Sequence, residues 1–107
     1  MNKPAIFINC FEVPAGRDEE FLAMWNAVNH YMRGKPGFIS NRLHRANMPN
    51  ARFRFVNYVQ WRTVDDWRAA HDDGFRAMID KPEWRDFTFT GATYDVVLEH
   101  AVDSAAA

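Results

Sequence analysis

The stretch Arg52 to Trp61, RFRFVNYVQW, carries the period of a half-buried strand. Phe53, Phe55, Val59 and Trp61 fall on one face, with Asn57 in the middle of that row. Arg54, Val56, Tyr58 and Gln60 point the other way, because successive side chains alternate across a strand. A side-chain amide in an apolar row is costly unless it finds hydrogen-bond partners. Asn57 therefore needs either a structural partner or a ligand. The indole of Trp61, four residues on, adds a second donor to the same apolar wall.

Upstream, Ala46 to Ala51 reads as a hairpin-like loop, with Asn47, Pro49 and Asn50 as turn formers, and Phe38 to Arg45 as the strand before it. Asp18 to Arg33 reads as a helix. Its acidic start, Asp18-Glu19-Glu20, suits the helix dipole, and Gly34 suits its end. Phe21, Met24, Trp25, Val28, Tyr31 and Met32 recur at three- and four-residue steps and form one stripe. Ala5 to Val13 reads as the first strand, closed by Pro14-Ala15-Gly16, with Asn9 on the face of Phe7 and Phe11. Downstream, Thr63 predicts an N-cap, and Val64 and Trp67 begin a second helix. Asp72-Asp73-Gly74 interrupts or bends that helix, and Phe75, Met78 and Ile79 continue a helical face. Trp84, Phe87 and Phe89 suggest a packed loop over Glu83 to Gly91. A last strand is expected over Ala92 to Ala101, with Tyr94, Val96, Leu98 and His100 on one face. Ser104 to Ala107 is expected to fray.

The order β-α-β-β-α-β is the ferredoxin-like split unit, an α+β fold with helices on one face of a four-stranded antiparallel sheet. At 107 residues the chain is expected to form a single domain, residues 1–107. Ile6, Ile8, Cys10, Val56 and Tyr58 make the other sheet face too apolar for free exposure, and a second copy of the sheet is its simplest cover. The composition is 48% hydrophobic and 15% aromatic, rich enough to supply an interface as well as a core. The net charge of -1, with no basic face, argues against a nucleic-acid partner. A single cysteine rules out an internal disulfide and fits a reducing compartment. Met1 to Pro4 is polar and no small-residue cleavage pattern follows; nor does any apolar run approach a membrane span. A soluble cytoplasmic protein is expected.

Asn57-Tyr58-Val59-Gln60-Trp61 resembles the N-Y-x-Q-W strand of the antibiotic biosynthesis monooxygenases. Phe11-Glu12-Val13-Pro14, Pro36-Gly37-Phe38 and Leu43-His44-Arg45 extend the resemblance over most of the chain. It implies a dimeric α+β barrel that oxidises aromatic polyketides to quinones with O2 and without metal or flavin. It also implies catalytic roles for Asn57, Trp61 and His44, with Arg76 as a loosely aligned basic contact. Trp67 stands where such proteins often carry a tyrosine, so a phenol hydroxyl is replaced by an indole. The haem-degrading branch is matched in a different set: Asn9 in the first strand and Trp67 in the helix. Its iron-ligating histidine is missing, because Ala77 and Met78 occupy that neighbourhood and His71 comes too early.

The chemistry follows from residue types. Asn57 and Trp61 can donate to a substrate oxygen as charge develops on it. His44 can act as a general base near neutral pH. Asn9 can join Asn57 in a pocket, Trp67 can wall it, and Arg76 can pair with an anionic substrate. His71 suits a helix C-terminus as a cation, and His30 and His100 have no constellation around them. Metal-ligand spacing, a Gly-rich phosphate loop and a Ser-His-Asp set are all absent from the sequence pattern. The reading is a cofactor-independent oxygenase acting on a quinol, anthrone or other polycyclic phenol. A haem-binding protein and a non-catalytic small-molecule-binding dimer are the alternatives.

Overall fold

The computed structural model describes residues 4–102, so the tail expected to fray lies outside the described residues. Strand β1 (Ala5–Glu12) is followed by α1 (Asp18–Met32), β2 (Phe38–Arg45) and β3 (Phe55–Trp61). Two short helices follow, α2 (Val64–Ala70) and α3 (Asp73–Ile79), then a 3-10 turn (Pro82–Trp84) and β4 (Thr88–Tyr94). The sheet order is β2-β3-β1-β4, with every neighbouring pair antiparallel. This is the α+β ferredoxin-like arrangement that the sequence predicts.

The odd-numbered side chains of β1 and β3 face the helices and build two adjoining cores. Phe11 and Phe55 pack with Phe21 of α1 and with Trp84 and Phe87. Ala5, Val59 and Trp61 pack with Met32 and Ala70. Trp84 and Phe87 are thus core residues, packed as the sequence suggests. A register change between Phe38 and Ser40 shifts the pairing of β2 with β3. Beyond it Leu43 lies opposite Asn57 and His44 opposite Val56.

The helical caps follow the local sequence. The Thr63 side chain accepts from the Asp66 N–H at 3.0 Å, as an N-cap should. The expected bend is a full break: α2 stops at Ala70, and the Asp72 carboxylate caps α3 by accepting from the Phe75 N–H at 2.9 Å. The same carboxylate accepts from Lys35 at 2.6 Å and Tyr31 at 2.8 Å, tying the end of α1 to the start of α3. Lys35 leads the groups that hold its pKa well below the usual carboxylate range.

The last strand lies upstream of its expected position. Thr88 to Tyr94 pairs with β1 from Glu12 back to Ile6, so the strand ends near the start of β1. Asp95 to Val102 continues without regular structure, and the predicted face of Val96, Leu98 and His100 does not form. Val97 is 86% exposed and Leu98 80%. Among the described residues no helix is long and apolar enough to cross a membrane.

Candidate active site

A cleft opens between the helix-facing side of the sheet and the helices. Phe7, Asn9 and Phe11 of β1, Asn57, Val59 and Trp61 of β3, and Phe38 and Phe89 from the flanking strands form its floor. Trp25, Val28, Asn29 and Met32 of α1 form one wall; His71, Phe75, Ile79 and Trp84 form the other. Its free space is about 80 Å³. Aromatic side chains supply much of its lining.

Three buried polar atoms near this space lack a protein partner: Asn9 Oδ1, Trp61 Nε1 and Trp67 Nε1. Buried polar groups are rarely left unpaired, and Asn9 and Trp61, unlike Trp67, line the cleft directly. Among the described residues Asn57 is the one buried polar side chain, 9% exposed. An amide chain fixes its orientation. Asn41 of β2 donates to Asn29 Oδ1 at 2.7 Å and, more weakly at 3.5 Å, to Asn57 Oδ1. With its oxygen so engaged, Asn57 keeps its Nδ2 hydrogens for a bound molecule. Asn9 pairs with Asn57 on one side and with Gly91 on the other. A Cβ on Gly91 would stand 2.8 Å from both Asn9 Oδ1 and the tip of the Phe7 ring. Only glycine lets those two side chains lie across β4.

Of the sequence-predicted residues, the structure brings together Asn57, Trp61 and Asn9. Trp67 stands in the wall behind them, its ring 5.2 Å from Phe7 and 4.9 Å from His71. His44 is a correction. Pairing with Val56 puts it on the open side of the sheet, away from the cleft, where its Nδ1 meets the Val56 carbonyl oxygen at 3.2 Å. It lines a shallow depression with Arg42, Tyr58 and Gln60. Arg76 is a second correction. It lies on the outer side of α3, paired with Asp73 at 2.8 Å, while its neighbours Phe75 and Ile79 face inward. Among the described residues no three His, Cys, Asp or Glu side chains gather as a metal site would need.

Three lining or supporting residues escaped the sequence reading. Asn29 follows Trp25 by four positions and Val28 by one, on the α1 stripe already recognised. Asn41 alternates with Leu43 on the inward face of β2. His71, expected to serve a helix end, lies in the break between α2 and α3. Its Nδ1 is 2.6 Å from the Trp67 carbonyl oxygen.

Residues 4–87 match the family model described as antibiotic biosynthesis monooxygenase. A candidate monooxygenase from Shewanella loihica PV-4 is 26% identical, with a TM-score of 0.80 over 92% of this chain and 99% of that one. SnoaB, a cofactor-independent oxygenase from Streptomyces nogalater, is 22% identical, with a TM-score of 0.74 over 90% of this chain and 95% of its own. A MhuD variant with two manganese protoporphyrin IX molecules bound per active site is 23% identical, with a TM-score of 0.70 over 92% of this chain and all of its own, 100%. No curated protein sequence matches the chain. A family match running from β1 through Phe87 covers every strand and helix that shapes the cleft except β4, and the chain belongs to the antibiotic biosynthesis monooxygenase family.

Proposed function

We propose that this protein is a cofactor-independent monooxygenase that oxidises a quinol, an anthrone or another polycyclic phenol with O2. The observation that carries the reading is the cleft itself. It has an aromatic interior, an oriented Asn57 amide and an unpartnered Trp61 indole N–H on one floor. For an anthrone, a ring methylene becomes a carbonyl, one oxygen atom of O2 enters the product and the other leaves as water. All four electrons come from the substrate carbon, so no outside reductant is needed. A base first removes a proton from the substrate. The resulting anion passes an electron to O2, and the two radicals combine at carbon as a peroxide that collapses to ketone and water. Asn57 and Trp61 hold the substrate oxygen while it carries negative charge, and donors preset toward such an oxygen stabilise the step most. The test is oxygen uptake with dihydroxynaphthalenes and anthrones, in the presence of a chelator and without flavin. Uptake with quinone formation is expected. No uptake with any of them would remove the oxygenase reading.

The working unit in this proposal is a homodimer. Ile8, Cys10, Val56 and Tyr58 are only half-covered on the open sheet face, and Asp95 to Val102 runs without regular structure with Val97 and Leu98 bare. A second copy covers both at once, sheet against sheet and that segment against partner. Sedimentation at micromolar concentration is expected to give twice the chain mass. A well-folded monomer at that concentration would end the dimer proposal.

His71 in the cleft, with Asn9 and Trp67, is what favours a haem ligand. The sequence speaks against it, since Ala77 and Met78 stand where the haem-degrading branch carries its iron-ligating histidine. Titration with haemin is expected to give no stoichiometric, sharply ligated Soret band. A tight one-to-one complex that is lost in His71→Ala would replace the oxygenase reading with the haem one.

A further inference from the structure

We propose that His71 is the general base of this cleft, taking the substrate proton on Nε2 while the Trp67 backbone carbonyl holds its Nδ1–H. The inference rests on the oxygenase reading and names the group that starts it. A carbonyl oxygen can only accept, so the 2.6 Å contact assigns the proton to Nδ1. Nε2 then carries the lone pair, and no protein group among the described residues hydrogen-bonds it. The ring lines the cleft that holds Asn57 and Trp61. Its orientation is fixed from three elements: Phe7 of β1 at 5.8 Å, Trp67 of α2 at 4.9 Å and Phe75 of α3 at 4.7 Å between ring centres.

The backbone at His71 is held as firmly as the ring. α2 ends at Ala70, and Asp72 caps α3 while bound to Tyr31 and Lys35. The charged groups that act on the imidazole are Asp72, which favours its protonation, and Arg76, which opposes it. Phe7, Trp67 and Phe75 bring no charge. Burial among these rings outweighs the rest and keeps the pKa of His71 below its ordinary 6.5. The base is therefore neutral and ready at neutral pH. Its activity is present above the lowered pKa and is lost as pH falls through it. When Nε2 takes a proton from the phenol or the ring methylene, the imidazolium keeps its Nδ1–H bond to Trp67. It can then return that proton to the peroxide oxygen.

Three measurements test the assignment. Ring-nitrogen NMR of the wild type, with His71 identified by its loss in His71→Gln, is expected to show the Nδ1–H tautomer with a pKa below 6.5. The rate against pH is expected to have an acid limb below 6.5. His71→Gln and His71→Ala are expected to lose about a hundredfold in kcat, and the limb with it, while binding a non-reacting quinone as the wild type does. Added imidazole is expected to restore part of the rate of His71→Ala. His30→Gln, on the solvent side of α1, serves as the control. A His71→Gln enzyme with wild-type rate and limb, or an Nε2–H tautomer, would overturn the proposal. If the wild type takes up no oxygen, the oxygenase reading fails, and the absorption of a bound naphthol decides the base. Ionisation of that naphthol at lower pH in the wild type than in His71→Gln supports His71, and equal ionisation overturns it.

Discussion

Replacing Asn57 with Ala is expected to slow turnover about a hundredfold, a loss of roughly 3 kcal/mol in transition-state stabilisation. The amide lies in the middle of the cleft floor, opposite Asn9 in one strand pair and Leu43 in the other. Its oxygen faces Asn41, so its nitrogen is the end that meets the substrate. An alanine keeps the strand and removes the donor together with the oxygen that accepts weakly from Asn41. The fold has little reason to change, because Asn41 retains its shorter bond to Asn29. The effect is expected in kcat rather than in KM, since the contact strengthens as charge builds on the substrate oxygen. Asn57→Asp keeps the size but offers only acceptors and a negative charge beside the oxyanion, and it is expected to fall at least as far. Steady-state oxygen uptake, with a circular-dichroism spectrum to show an intact fold, makes the measurement. Full activity in Asn57→Ala would remove Asn57 from the mechanism.

Local patterns carried most of the fold. Alternation in β3 placed Phe55, Asn57, Val59 and Trp61 on one face, and that face is the buried one. The α1 stripe and the Thr63 cap read directly from spacing. What stayed hidden was parity between elements. His44 sits in a strand whose inward face depends on the register change near Phe38, and no local signal reports which side a neighbouring strand presents. His71 was hidden for a related reason. A histidine at a helix end and a histidine in a helix break look alike in sequence. They separate only when Asp72 is seen to cap a new helix instead of continuing the old one. Thr88 to Gly91 lost its strand character in the reading to the aromatic residues around it, although Thr88, Phe89 and Thr90 are good strand formers. Asn29 was within reach, because the stripe that marks Trp25, Val28 and Met32 passes over it.

Phe21→Ala is expected to destabilise the protein by about 3–5 kcal/mol, the usual cost of emptying a buried phenylalanine site. Phe21 is the hub of the larger core and is 0% exposed. Its ring stacks on Phe55 at 4.7 Å and meets Phe11 at 4.9 Å, Phe87 at 5.8 Å and Trp84 at 6.1 Å. These partners come from β3, β1 and the segment after α3, so no single element can move to refill the space. A domain of this size has roughly 5–15 kcal/mol in all, and the change removes a large share of it. At about 4–8 °C per kcal/mol, the melting temperature is expected to drop by at least 12 °C. Thermal and urea melts at one fixed protein concentration provide the measurement, because dimerisation makes the midpoint depend on concentration. Phe11 and Trp84 also line the cleft, so the packing that holds the domain together sets the spacing of its walls. Phe21→Ala is therefore expected to weaken binding of an aromatic ligand even at temperatures where the fold survives. A loss below 1 kcal/mol would mean that the cluster around Phe21 closes over the gap and that the cleft rests on the Trp61 core alone.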